Sequence, residues 1–260
     1  MRKKFIAQGL ALFALALSAY TPSVAQAEVA SAEPGWRDEF TLSANLGLAS
    51  QYRFRGLMQT DNKPALQGGF DLAHSSGFYL GNWNSNISWL SDSDDDVSAP
   101  IEMDFYGGYK REIYPGATID MGVLQYYYPG DYPSGFTSPD TTELYAGLGY
   151  GPLTFKYSHA VTDLFGFAGS KNSQYYDLSG RFPTPWWGIA VNAHAGYQHL
   201  RNVDSGSYAD WSLGLTKNWD KGFSTSITYV DTNADKDVYT NANGRYMGKA
   251  TVVLSLNAAF

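Results

Sequence analysis

The chain has 260 residues, 44% hydrophobic and 16% aromatic, with 20 Tyr, 7 Trp, no cysteine and a formal net charge of −7. Without cysteine, a disulfide-stapled core, a thiolate nucleophile and a thiolate metal site are excluded. The acidic balance argues against a nucleic-acid partner.

At the N-terminus Arg2, Lys3 and Lys4 precede an apolar run from Phe5 to Tyr20, then Pro22 and the small-residue site Ala25-Gln26-Ala27. Charged, apolar and cleavable segments in that order predict a secretory signal peptide over 1–27. The run is short for a membrane-spanning helix, which needs roughly 20 residues. Cleavage removes three basic residues and no acidic one, taking the charge from −7 to −10. A short segment, 28–39, leads to a single unit over 40–260, with no room for a plug domain.

From residue 40 onward the alternation has period 2. It predicts strands near 40–55, 65–74, 78–90, 101–111, 117–128, 141–150, 153–162, 174–182, 187–199, 208–219, 223–231 and 247–260. In the first, Phe40, Leu42, Ala44, Leu46, Leu48, Tyr52 and Phe54 share one face, and Thr41, Ser43, Asn45, Gln51, Arg53 and Arg55 the other. A slip by one residue would put both arginines in lipid, at roughly 2–4 kcal/mol each near the midplane. The phase is less determined at Gly68-Gly69 and Gly107-Gly108, where bulges are possible. The last strand places Val252, Leu254, Leu256, Ala258 and the terminal Phe260 on one face, against Asn257, Ser255, Thr251 and Lys249.

Between the strands, short segments rich in Gly and Pro (74–77, 112–116, 151–152, 183–186 and 220–222) alternate with longer polar ones (56–64, 91–100, 129–140, 163–173, 200–207 and 232–246). This segregation predicts a transmembrane antiparallel β-barrel of about twelve strands, all-β, with short periplasmic turns and longer extracellular loops. A soluble sandwich would not need it. Trp187, Trp219, Phe223 and Phe260 fall near the turns, and Tyr52, Phe54, Trp89, Tyr127, Tyr197 and Tyr229 near the loops, as two interfacial girdles.

The opposite phase points Arg53, Arg55, Lys110, Lys156, Arg181 and Lys249 inward, with Asp71, Glu102, Asp104, Asp120, Glu143, Asp177 and Asp210. These are the candidate pore-lining residues. Such charges need water or partners. Lys110 and Asp120 flank one turn, and Asp177 and Arg181 share a face. The wall is either a solvated, salt-bridged lining or a solute-selecting constriction. Tyr126, Tyr128, Tyr145 and Tyr175 also point inward, either filling the barrel or offering a face to an organic cation. Loop 129–140, with Pro129, Pro133 and Pro139, is the candidate constriction.

Two acidic loops fail as calcium sites. A twelve-residue frame from Asp92 puts Val97 at the glycine position and Met103 at the bidentate position, and a frame from Asp231 puts Lys236 and Ala242 there. No metal site and no cofactor are expected. Of the four histidines, His74, His159, His194 and His199, His159 adjoins Ser158, which points the other way, and His199 has Tyr197 and Arg201, not a serine, two residues away on its face. No catalytic residues are assigned.

The strings Ser50-Gln51-Tyr52-Arg53-Phe54-Arg55-Gly56, Pro64-Ala65-Leu66-Gln67-Gly68-Gly69-Phe70, Gly77-Phe78-Tyr79-Leu80-Gly81-Asn82-Trp83, Tyr126-Tyr127-Tyr128-Pro129-Gly130 and Glu143-Leu144-Tyr145-Ala146-Gly147 occur in this order. In that order the chain resembles the TorF-like porin family of proteobacteria (Gcw_chp). The resemblance implies an outer-membrane barrel with a pore role and supplies no substrate or catalytic residues. The aspartate-rich loop at 92–96 and the Phe165-Gly166-Phe167 loop are departures.

The sequence reading is therefore a channel for passive diffusion of small hydrophilic solutes, not an enzyme. Its surroundings would be outer-membrane lipid and lipopolysaccharide, with Phe260 presented to the barrel assembly machinery. The alternatives are a lipid-modifying barrel enzyme and a non-conducting surface barrel. The Asp92, Asp94, Asp95 and Asp96 group at the mouth predicts mild cation preference that fades with salt.

Overall fold

The computed structural model describes residues 39–260, so the predicted signal peptide and most of segment 28–39 lie outside the described residues. The strands are β1 (Phe40–Ala49), β2 (Arg53–Phe54), β3 (Leu57–Met58), β4 (Ala65–His74), β5 (Phe78–Asn86), β6 (Ile101–Tyr114), β7 (Ala117–Tyr127), β8 (Thr141–Tyr150), β9 (Leu153–Ala160), β10 (Gln174–Pro183), β11 (Ile189–His199), β12 (Tyr208–Asn218), β13 (Phe223–Thr232) and β14 (Thr251–Ala259). One short helix, α1 (Trp89–Ser93), lies between β5 and β6.

Twelve of these strands, all but β2 and β3, form a closed antiparallel barrel in chain order, sealed between β1 and β14. The β1–β4 pairing runs over the whole of both strands, from Phe40 opposite His74 to Ala49 opposite Ala65. The closing seam is half as long, from Asn45 opposite Ala259 to Ala49 opposite Ser255. Closure pairs the backbone groups around the sheet, which is what lets a sheet stand in hydrocarbon.

The outer face is apolar as the alternation predicts. Leu42, Leu46 and Leu48 on β1, Leu144 and Leu148 on β8, Leu213 and Leu215 on β12, and Leu254 and Leu256 on β14 are all exposed. Exposed Phe78, Tyr114, Tyr150, Trp186, Trp187, Trp219, Phe223 and Phe260 lie at the turn end, and Tyr127, Tyr176, Tyr197, Trp211 and Tyr229 toward the loop end. Apolar belts flanked by aromatic girdles around a polar interior are the architecture of an outer-membrane barrel.

The main departure is in the first predicted strand. β1 stops at Ala49, and residues 51–61 leave the wall and turn into the lumen, where all but Leu57 are buried. Arg55, Asp61 and Asn62 take positive φ, and Gly56 sits at φ +79, so the segment doubles back as the β2–β3 hairpin. At Gly56 an added Cβ would also stand 2.8 Å from the Asp210 side chain, so glycine is required twice over. Tyr52 and Phe54 are thus interior residues and not part of the loop-side girdle. Trp89 also leaves it, because β5 ends at Asn86 and Trp89 begins α1, half-buried against Tyr128.

Candidate functional site

Cross-strand register brings the inward side chains into one polar interior. Asp104 stands opposite Tyr126, Lys110 opposite Asp120, and Leu124 opposite Glu143. Lys156 stands opposite Asp177, and Gly196 opposite Asp210. Asp71, Glu102, Asp104, Lys110, Asp120, Glu143, Lys156, Asp177 and Arg181 all lie on the interior phase of their strands. Arg53 and Arg55 also lie inside, but on the inserted segment and not on the barrel wall that the sequence reading gave them. Lys249 is misplaced altogether: β14 begins at Thr251, and Lys249 is exposed in the loop before it.

Arg55 is the hub. Its Nη2 donates to both oxygens of Glu143, at 2.9 and 2.7 Å, and its Nη1 to Gln198 Oε1 at 2.8 Å. The guanidinium carbon lies 4.1 Å from the centre of the Tyr175 ring and 4.9 Å from that of Phe54. Both charged side chains are sealed, 4% and 2% exposed. A guanidinium suits this place because its planar fork serves a carboxylate and an amide while its face stacks on a ring. Arg53 holds the same segment from the other side, through Gln51, Asn62 and the Met247 carbonyl.

Aromatic rings roof the hub. Phe54 packs edge-on against Tyr126 and Phe165, with centroids 5.6 and 5.5 Å apart, and Tyr126 meets Phe165 at 5.0 Å. The Phe165-Gly166-Phe167 loop thereby closes over the inserted segment. Loop 129–140, the predicted constriction, packs Tyr132 and Phe136 against the same buried cluster. There Tyr132 donates to the Tyr128 carbonyl at 2.7 Å, and burial pushes its phenol up to about 12. The lumen is narrowed by 51–61.

Two carboxylate groups border the hub. On one side His194 stands between Asp177 and Asp210, with Nδ1 2.9 Å from Asp177 Oδ2 and Nε2 2.8 Å from Asp210 Oδ1. Serving both carboxylates requires both ring nitrogens to carry hydrogen. Ser179 donates to Asp177 at 2.5 Å and Tyr175 to Asp210 at 3.0 Å. The expected sharing of a face by Asp177 and Arg181 makes no ion pair, since Arg181 reaches Asn218 Oδ1 at 3.3 Å. On the other side Glu102 accepts from Tyr52 at 3.0 Å and Tyr128 at 3.4 Å, beside Asp104.

Toward the turns the wall is lined by tyrosines. Tyr79 donates to Asp120 and Tyr106 to Asp71, both at 2.6 Å, and the Tyr79 and Tyr145 hydroxyls bond each other. The Lys156 ammonium lies 4.4 Å from the centre of the Tyr145 ring. Glycine makes this possible: at Gly81 an added Cβ would come within 2.6 Å of the Tyr106 ring and 2.7 Å of Asp71.

Sequence reasoning missed His194, Gln198, Tyr52 and Phe54 as interior partners. His194 carried the right phase; what was missing was the register that sets Ser179 and Ser212 on either side of it. Among the described residues, no group of three or more His, Asp or Glu is placed to hold a metal ion.

A family model described as a bacterial protein of unknown function (Gcw_chp) matches residues 33–260. Among solved structures the barrel is similar to a KdgM porin, with a TM-score of 0.54 at 8% identity, covering 84% of this chain and 98% of that one. It is likewise similar to a KdgM porin in complex with disordered oligogalacturonate, with a TM-score of 0.51 at 8% identity and the same coverage. At that identity the likeness is one of fold. No curated protein sequence matches the chain.

Proposed function

The chain belongs to the Gcw_chp family, and we propose that it is an outer-membrane channel for the passive diffusion of small hydrophilic solutes through a lumen narrowed by residues 51–61. The observation that carries this reading is the interior itself. A barrel serving only as a wall has no use for charged side chains from most of its strands, each of which is expensive to desolvate. A lumen that passes water and polar solutes does. Twelve strands enclose a width between the side-chain-filled barrel of eight and the open channel of sixteen.

Under this reading Asp71, Lys110, Asp120, Lys156, Asp177 and Arg181 line the path, and Arg53, Arg55, Glu102, Asp104 and Glu143 border its narrowest part. Residues 1–27 are the export signal, 28–39 a short leader, and Phe260 is offered to the assembly machinery in a membrane of lipid and lipopolysaccharide. Chemistry has no part in the proposal: apart from Asp104, the interior carboxylates are engaged by tyrosine hydroxyls, histidine and arginine, and among the described residues no nucleophile stands beside a free base. Planar-bilayer recording of the refolded protein tests it. Small, discrete conductance steps are expected. A bilayer that stays silent after verified insertion overturns the reading in favour of a non-conducting barrel.

A further inference from the structure

Asp104 stands out among the interior acids. Its side chain is fully buried, 0% exposed, and neither carboxylate oxygen has a hydrogen-bond partner. Glu102, 1% exposed and two residues along the same face of β6, is the adjacent carboxylate. Neither takes an ion pair among the described residues. Arg55 is committed to Glu143, His194 to Asp177 and Asp210, and Lys156 faces the Tyr145 ring. Two sealed carboxylates side by side repel each other, and the only cation acting on Asp104 is Lys156, which makes no ion pair with it.

We infer that Glu102 and Asp104 form a binding site for one compact monovalent cation, an alkali ion or ammonium, set in the lumen wall behind the inserted segment. Asp104 supplies two free oxygens. Glu102 keeps lone pairs beyond those that accept from Tyr52 and Tyr128, and the rings of Tyr52, Tyr126 and Tyr128 close the surroundings. A divalent ion is disfavoured, because calcium takes six to eight oxygens and the site has no third carboxylate. One positive charge offsets one of the two negative ones, as Arg55 offsets Glu143 two strands away on β8. Tyr52, bonded to Glu102 and packed edge-on against Trp83 at 5.6 Å, closes the site on the side of the inserted segment.

The site extends the channel reading, in that it names what the narrowest part selects, but it is testable without current. Thermal unfolding of the refolded barrel in detergent is compared in potassium chloride and in N-methyl-D-glucamine chloride, at equal pH and ionic strength. At roughly five times the dissociation constant, potassium should raise the midpoint by about 2–4 °C. Ammonium chloride should do the same. Asp104→Asn and Glu102→Gln should each abolish the rise, whatever their own baseline stability. If the unmodified protein unfolds alike in both salts, the pair shares a proton and the inference fails. In bilayers the same variants should lose cation preference in channels that still conduct. A silent bilayer together with a potassium-specific rise sinks the channel reading and leaves the site standing.

Discussion

Across the lumen from each other lie two acidic groups of the same make-up. On β10–β12, Asp177 and Asp210 close on the two nitrogens of His194 at 2.9 and 2.8 Å. On β6, Glu102 receives only phenol hydroxyls and Asp104 nothing. A count of inward charges, nearly balanced in the sequence, hides this difference. Neutralisation is decided strand by strand, by which residue the register sets opposite, so a balanced lumen holds one compensated wall and one uncompensated wall with Arg55 between them.

The strongest way to break that contrast is to remove its divider. Arg55→Ala leaves Glu143 buried without its partner, at a cost of about 3–5 kcal/mol. It should unseat 51–61, lower the thermal midpoint and enlarge single-channel conductance; unchanged conductance would mean that the segment does not border the path. Next, His194→Leu turns the compensated wall into a second uncompensated one. Leaving two buried acceptors unsatisfied should cost about 1–3 kcal/mol each, read by thermal unfolding. Unaltered stability would show that the histidine bridge contributes nothing.

Sharpening the other wall takes a gentler change. Tyr52→Phe deletes one hydroxyl on Glu102 and should cost about 1 kcal/mol while leaving the Trp83 contact in place. Smallest of all, changing Asp92, Asp94, Asp95 and Asp96 together to Asn removes charge only at the mouth. It should leave the midpoint unmoved and trim cation preference at low salt, beyond which screening over about 10 Å at 0.1 M erases the effect. A shift that persists at high salt would place those aspartates inside the path.

The wall was legible in the sequence because each strand there has one face toward lipid, and lipid tolerates so little that alternation survives strand by strand. All twelve barrel strands, their turn-and-loop polarity and the turn-side girdle could be read this way. Gln51 to Arg55 defeated the method because the same alternation continues after the chain has left the wall. Tyr52 and Phe54 are apolar for Trp83, Tyr126 and Phe165, not for lipid. The signs of departure were Gly56 and the Asp61-Asn62 pair, which permit positive φ. The His194 bridge was illegible for a different reason. It joins three strands, and period 2 fixes which face a residue takes but not its height against its neighbours.

The closing seam has a mechanical consequence. A barrel of hairpins is a ring of zippers, and its resistance to being pulled apart is set by the shortest. Along β1 the chain is fastened to β4 over ten positions but to β14 over five. Tension applied across the ring therefore falls on the Asn45–Ala49 and Ser255–Ala259 stitching first, and the sheet opens at that edge.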